Sequence, residues 1–235
     1  MIDNIKGLVE IDRSEVLRYL QYKNQNIEED LLDKIKYCID LTKDMINPKF
    51  IFRKYPIRKI KCSNKKNQVN IEGTNLMLES DDVYNLLLEC DECILISATL
   101  GLEIEKEIRK LTYTDLTKGI IIDACATTAI EEVCDIVQGN IAKQLSKEDK
   151  HITYRYSPGY GDLAIEKNAD INNILNSQKE IGLTVTNSGI MIPRKSVVAL
   201  IGVSHKLTNN RKKSCNNCNN RHNCDYKKEG SNCGN

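Results

Sequence analysis

The first 48 residues alternate apolar and polar positions in the manner of helices. Residues 14–20 and 29–46 carry apolar side chains at three- and four-residue spacing, which predicts two amphipathic helices. Acidic residues at the start of the second segment suit the positive end of a helix dipole, and Pro48 closes the unit. The pattern therefore predicts an N-terminal helical pair within residues 1–48.

The next part of the chain contains mainly strand patterns. Residues 49–54 and 68–73 predict two strands, with an extended piece after Pro56 between them. Residues 81–90 have the spacing of a helix, whereas residues 92–101 form a short, continuously apolar run that ends in small residues. Such a run predicts a strand that is buried on both faces.

The centre of the sequence is strongly helical. Residues 102–111 predict one helix, and residues 115–146 predict a longer one that is apolar or small along most of one side. We expect this longer helix to lie buried in the middle of the domain, where Asp123 needs a polar partner. Its acidic residues are interpreted as a solvated stripe rather than as ligand contacts: Asp123, Glu131, Glu132 and Asp135.

After the long helix, the pattern returns to strands. Residues 151–156 alternate as a strand, residues 157–162 form a turn, and a short helix follows within 163–178. Residues 184–193 and 196–204 then have the pattern of two further strands. Together, these elements predict an α+β fold in which an antiparallel sheet is flanked by helices.

The composition changes abruptly after Lys206, where aliphatic side chains almost disappear. A segment this polar cannot bury a core of its own. We therefore predict one domain over residues 1–206 and a cysteine-rich tail over residues 207–235.

Charge and composition argue against several classes of function. The 34 basic and 33 acidic side chains leave a net charge of +1, so nucleic acid and anionic membranes are not expected as partners. The N-terminus lacks the pattern of a signal peptide, and no apolar stretch approaches the ~20 residues of a membrane helix. We therefore expect a cytoplasmic protein. The sequence shows no hydrolytic triad, phosphate loop or dinucleotide fingerprint.

The chain has ten cysteines, and four of them fall in the tail. Cys215, Cys218, Cys224 and Cys233 have the spacing of a four-sulfur site that would hold zinc or an iron–sulfur cluster. His222 could replace one of these ligands, and a disordered tail with free thiols is the alternative interpretation. The six other cysteines lie mostly on apolar faces and are expected to be core residues.

A second group of polar residues follows the strand predicted at 151–156. Pro158 and Gly159 suit the two central positions of a type II turn, because proline presets its own φ and glycine supplies the positive φ. Arg155 presents a planar fork suited to a carboxylate, and Tyr160 adds a flat ring and a hydroxyl. The group suits an amino acid attached to a nucleoside; an ordinary surface turn is the alternative on local chemistry alone.

The string Arg-x-x-x-Gly-Tyr, from Arg155 to Tyr160, resembles the signature of the activation domain of cobalamin-dependent methionine synthase. Residues 183–197 resemble the Leu-Thr-Glu-Ser, Met-x-Pro and Ser-Val segment of the same domain, and they follow at a similar distance. The likeness covers residues 115–204, and the earlier part resembles the short, separately encoded versions of this domain.

This resemblance implies a protein that binds S-adenosylmethionine and supports reductive methylation of cobalamin carried by methionine synthase or another corrinoid protein. Arg155 would hold the methionine carboxylate, and the backbone of Ser157, Pro158, Gly159 and Tyr160 would flank the adenosine. The cofactor of the partner would be the nucleophile, so no side chain here is assigned a catalytic role, and any enzymatic activity would be that of the methyltransferase. A low-potential electron donor would be a further partner.

Two departures from the family leave a second function open. The family's N-terminal Asp-Trp segment, whose acidic residue contacts the ligand, has no counterpart in this chain. Ile201 stands where the family has a tyrosine. The alternative is a metal- or iron–sulfur-containing interaction or electron-relay protein that has lost S-adenosylmethionine binding.

Overall fold

The computed structural model describes residues 4–22 and 26–206. The cysteine-rich tail at 207–235 lies outside these ranges, so the four-cysteine metal site expected there stays a prediction. Within the described ranges, no helix is long and apolar enough to cross a bilayer.

Seven α-helices lie in the described part of the chain, and the first two form the predicted N-terminal pair. In chain order they are α1 (Arg13–Tyr19), α2 (Glu29–Met45), α3 (Asp81–Leu86), α4 (Leu102–Thr114), α5 (Leu116–Leu145), α6 (Lys167–Leu175) and α7 (Ser177–Ile181). Asp12 caps α1 by accepting a hydrogen bond from the Ser14 N–H at 2.7 Å. Both helices of the pair pack against α5.

Eight strands accompany these helices within the described ranges. They are β1 (Lys49–Ile60), β2 (Gln68–Ile71), β3 (Met77–Glu79), β4 (Glu92–Thr99), β5 (His151–Ile152), β6 (Thr184–Val185), β7 (Met191–Ile192) and β8 (Ser196–Ser204). Six of them form one antiparallel sheet in the order β3-β2-β1-β4-β8-β5, and β6 pairs with β7 separately. The predicted α+β fold with an antiparallel sheet is confirmed.

The centre of the sheet is covered on both faces. In β4, Ile94 and Ile96 face the layer formed by α1, α2, α4 and α5, whereas Cys93 and Leu95 face the layer of α3, α6 and α7. Successive side chains of a strand point to opposite faces, so a strand covered in this way is apolar throughout. This arrangement explains the continuous apolar run that predicted a buried strand.

The long predicted helix is α5, which has 30 residues and lies against the sheet as expected. Cys125 and Cys134 are fully buried on it, and burial raises the pKa of both thiols to about 12. Five of the six cysteines outside the tail are buried, as predicted for core residues: Cys38, Cys90, Cys93, Cys125 and Cys134. These thiols stay protonated and contribute to packing.

Two strand predictions were wrong in detail. β1 continues through Pro56, whose carbonyl accepts a hydrogen bond from the Glu72 N–H at 2.9 Å. Regular pairing between β1 and β2 begins only at Ile57. Pro56 therefore lies just outside this ladder, where its lack of an N–H removes no inner hydrogen bond. Residues 184–193 form the β6–β7 hairpin rather than one strand, because Gly189 has a φ of +80° and turns the chain back.

Gly119 and Gly139 both lie on α5, but Gly119 is packed closely against α4 whereas Gly139 faces open space. A Cβ at Gly119 would lie 2.9 Å from the backbone N of Thr112 in α4, whereas a Cβ at Gly139 would meet no atom of the described residues within 4 Å. We expect Gly119→Ala to lower the free energy of unfolding by about 1–3 kcal/mol, because α4 must move. Gly139→Ala should raise it by about 0.5–1 kcal/mol, because alanine is the better helix former. Urea unfolding measures both, and equal changes would contradict the close packing of α4 on α5.

Candidate ligand-binding site

The predicted turn is present. The Tyr160 N–H donates to the Ser157 carbonyl at 3.3 Å, which closes a turn with Pro158 and Gly159 at its centre. Gly159 has a φ of +91°, as the third position of a type II turn requires. Its own N–H donates to the Leu163 carbonyl at 2.9 Å and folds the following loop back onto the turn.

A hydrogen-bonded group ties this turn to the start of α3. The Tyr156 hydroxyl lies 3.0 Å from Asp82 Oδ2 and 3.1 Å from the Tyr160 carbonyl oxygen. Gly161 has a φ of +51°, and a Cβ there would overlap the Asp82 carboxylate and the Tyr156 hydroxyl. Glycine is therefore the residue that lets the turn approach α3 this closely.

Asp162 makes the second link to α3. Its carboxylate accepts hydrogen bonds from the Ser80 hydroxyl and from the Asp81 N–H, the latter at 2.8 Å. Burial alone would raise the pKa of Asp162, but the hydrogen bonds from Ser80 and from two backbone N–H groups outweigh it and hold this pKa below its ordinary value. Sequence reasoning missed these links to α3, because the partners lie about 80 positions apart in the chain.

The six-residue strand predicted after α5 is interrupted by a bulge. The Thr153 N–H donates to the Gly202 carbonyl at 3.0 Å, and the Tyr156 N–H donates to the Leu200 carbonyl at 2.9 Å. Two residues of this segment therefore oppose a single residue of β8, so regular pairing stops after β5. Arg155 lies in the bulge, and its side chain reaches α5.

Arg155 is only 9% exposed, and three side chains of α5 hold its guanidinium. Nη1 donates to Asp135 Oδ1 at 2.5 Å and to Gln138 Oε1 at 2.9 Å, and Nη2 donates to Glu131 Oε2 at 3.1 Å. The interpretation as a solvated stripe is therefore incomplete: Glu131 and Asp135 keep part of their exposure but are ion-paired with Arg155. A guanidinium carries five N–H donors, so Nε–H and one Nη2–H of Arg155 remain without a partner among the described residues.

Asp123 has the polar partner that its position required. The Lys195 Nζ lies 2.9 Å from Asp123 Oδ1 and donates to Thr127 Oγ1 at 2.8 Å. Lys195 belongs to the short connection between β7 and β8. This ion pair therefore fastens that connection to α5.

A cavity of about 290 Å³ lies between the two chain segments on which the family resemblance rests. Arg155, Ser157, Pro158 and Tyr160 line one side, and Met191 and residues 194–198 line another. Gly159, the fifth residue of the predicted site, shapes the turn but is not among the lining residues. The volume is just below the ~300–1,000 Å³ typical of small-molecule sites.

Several apolar side chains that are close in sequence to lining residues are exposed. Tyr160 lines it and is 57% exposed. Ile165 lies against Gly159 and is also exposed, as are Ile190 and Ile192 of the hairpin. Apolar surface around a cavity is typical of a region that meets another molecule.

Ile201, which stands where the family has a tyrosine, does not line the cavity. Its side chain is fully buried in the core between the sheet and α5. Asn168 of α6, by contrast, lines the cavity although the sequence around it carries no motif. Within residues 4–22 and 26–206, no group of three or more His, Cys, Asp or Glu side chains is placed to hold a metal ion.

The chain is similar in structure to the MetH reactivation domain, as seen in a crystal structure of that domain bound to AdoHcy. The TM-score is 0.58 at 14% sequence identity, and the match covers 87% of this chain and 73% of that chain. The fold implied by the sequence resemblance is thus confirmed. No protein-family model matches the chain, and no curated protein matches it.

Proposed function

We propose that this protein binds S-adenosylmethionine and acts as an accessory module in the reductive methylation of a corrinoid carried by a partner protein. The observation that carries the proposal is the single cavity lined by both segments that resemble the methionine synthase activation domain. The structural neighbour, which was crystallised with AdoHcy, supports a ligand of the same class.

Arg155 binds the methionine carboxylate of the ligand. Its Nε–H and remaining Nη2–H are available for two parallel hydrogen bonds, the arrangement in which arginine recognises carboxylates. Asp135 and Glu131 hold the guanidinium in place before the ligand arrives, which lowers the entropic cost of binding. Glu131 is about half-exposed and lines the cavity, so its carboxylate can also accept from the ligand's ammonium group.

The turn from Ser157 to Tyr160 flanks the adenosine. Tyr160 presents a flat, exposed ring, and the turn backbone is held by hydrogen bonds to Leu163 and, through Tyr156, to α3. A site built in this way orients its ligand with little reorganisation on binding. The residues present therefore fit an amino acid attached to a nucleoside.

The chain's own contribution to methyl transfer is orientation and exclusion of water. A corrinoid on the partner would supply the nucleophile, while this chain would fix the donor and cover it. The exposed surface formed by Tyr160, Ile165, Ile190 and Ile192 is suited to dock that partner over the cavity.

Calorimetry on the full chain tests the proposal. Titration with S-adenosylmethionine and with S-adenosylhomocysteine should each show one binding event per chain, since both share the carboxylate, the ammonium and the adenosine. Methionine and adenosine added separately should bind far more weakly, because each makes only part of the contacts. Absence of binding by both complete ligands at millimolar concentration would overturn the proposal.

The four cysteines of the tail favour a second function, that of a metal- or iron–sulfur-containing electron relay. Cys215→Ser with Cys218→Ser should abolish metal content while the circular dichroism of the domain stays unchanged, because residues 4–22 and 26–206 form hydrophobic clusters on both faces of the sheet without the tail. Elemental analysis of anaerobically purified protein identifies zinc, or iron with sulfide.

Cys62 is the matched control for this experiment, since it is half-buried and outside the tail. Cys62→Ser should keep the full metal content. Protein that carries neither zinc nor iron after anaerobic purification would refute both the metal site and the electron-relay function.

A further inference from the structure

A buried amide on α6 uses only part of its hydrogen-bonding capacity. Asn168 is 3% exposed, and its Nδ2 donates to the Gly189 carbonyl at 3.2 Å. Its Oδ1 has no hydrogen-bond partner among the residues that the structure describes. Because Nδ2 donates to Gly189, Oδ1 is the group that could accept a hydrogen bond from a ligand. A buried oxygen without a hydrogen bond costs free energy, and a ligand N–H that donates to it would recover this cost.

The position of Asn168 distinguishes it from a similar residue one turn away. Asn172 is also on α6 and is 4% exposed, and its Oδ1 has no partner within residues 4–22 and 26–206. Asn168 lines the cavity, as Ser157 and Tyr160 do, whereas Asn172 is not among the lining residues. Asn168 is therefore the one of the two that lies at the cavity.

The β8 strand runs along the same cavity and carries backbone groups that β4 does not use. Leu200 exchanges both backbone hydrogen bonds with Tyr156, so its N–H and C=O point away from β4. Backbone groups of alternate residues in a strand point the same way, so the N–H and C=O of Val198 also face away from β4. Val198 lines the cavity, and the described residues provide no partner for it on this side.

We infer that Asn168 and the backbone of Val198 form a recognition site for the amino-substituted edge of a purine. A 6-aminopurine has a ring acceptor beside an amine donor, which is complementary to the N–H and C=O of Val198. Asn168 Oδ1 accepts a hydrogen bond from the same amine. A 6-oxopurine reverses this donor and acceptor pattern and leaves Asn168 unsatisfied. This inference rests on the proposed function and specifies how its ligand is selected.

Binding of two ligands to three forms of the full chain tests the inference. The ligands are S-adenosylhomocysteine and its 6-oxo counterpart, S-inosylhomocysteine; the proteins are the unaltered chain, Asn168→Leu and Asn172→Leu. The unaltered chain and Asn172→Leu should both prefer the 6-amino ligand by about tenfold or more. Asn168→Leu should bind S-adenosylhomocysteine about tenfold more weakly and show a smaller preference.

The ratio of the two affinities is the decisive quantity, because local damage to the site weakens both ligands alike. An unchanged ratio in Asn168→Leu, or an equal fall in Asn172→Leu, would overturn the inference while leaving the proposed function in place. Failure of the unaltered chain to bind either ligand would overturn the proposed function and the inference together.

Discussion

Arg155→Lys should weaken S-adenosylmethionine binding by about ten- to a hundredfold, which corresponds to roughly 1.5–3 kcal/mol. The guanidinium donates hydrogen bonds to Asp135, Gln138 and Glu131, and two of its five N–H groups have no partner among the described residues. These two are the proposed donors to the ligand carboxylate. A lysine ammonium has only three donors on a flexible stem, so it cannot satisfy α5 and form two parallel bonds to a carboxylate. Calorimetry measures the loss directly.

The control for this variant is Arg53→Lys. Arg53 lies exposed on β1, and its Nη1 donates a long hydrogen bond of 3.4 Å to the Ile174 carbonyl. Replacing Arg53 should therefore leave the affinity for S-adenosylmethionine unchanged. Unchanged affinity in Arg155→Lys would instead show that the ligand carboxylate is held elsewhere.

Gly161→Ala should lower the free energy of unfolding by about 2–4 kcal/mol and abolish ligand binding. The added Cβ would overlap the Asp82 carboxylate and the Tyr156 hydroxyl, which are hydrogen-bonded to each other. Tyr156 is buried and has no room to yield, so the turn must separate from α3. Most of the helical residues belong to α1, α2, α4 and α5 on the other face of the sheet, so far-ultraviolet circular dichroism should stay close to that of the unaltered chain.

Gly182→Ala separates the steric effect from the backbone effect. Gly182 also has a positive φ, +74°, but an added Cβ there would meet no atom within 4 Å in the part of the chain that the structure describes. We expect it to cost only about 1 kcal/mol and to leave ligand binding intact. If the two variants lose the same stability and both still bind, the anchoring of the turn on α3 does not support the site.

Several elements followed from the sequence because their pattern depends on near neighbours. The spacing of apolar residues identified α2 and α5, and the unbroken apolar run identified β4. Pro158 and Gly159 identified the turn, since their allowed φ values are properties of the residues themselves. Where a turn signal lay within an apolar pattern, as at Gly189, the same reasoning mistook a hairpin for one strand.

The environment of each site residue could not be predicted in this way. Arg155 was singled out for its guanidinium, but nothing local shows that Glu131 and Asp135, on the preceding helix, would hold it. The link of Lys195 to Asp123 spans an even longer stretch of chain. Such pairs depend on how α5 crosses the sheet, which is decided by packing over the whole domain.

The sequence by itself determined the fold class, the turn and the identity of the candidate carboxylate-binding arginine. Only the tertiary structure brought the turn and the β7–β8 connection to one cavity, and only it showed that Asn168 lines this cavity while Asn172 does not. The physical reason is the range of the interactions involved. Backbone conformation responds to a few adjacent residues, whereas a cavity and its unsatisfied acceptor exist only where distant segments are packed together.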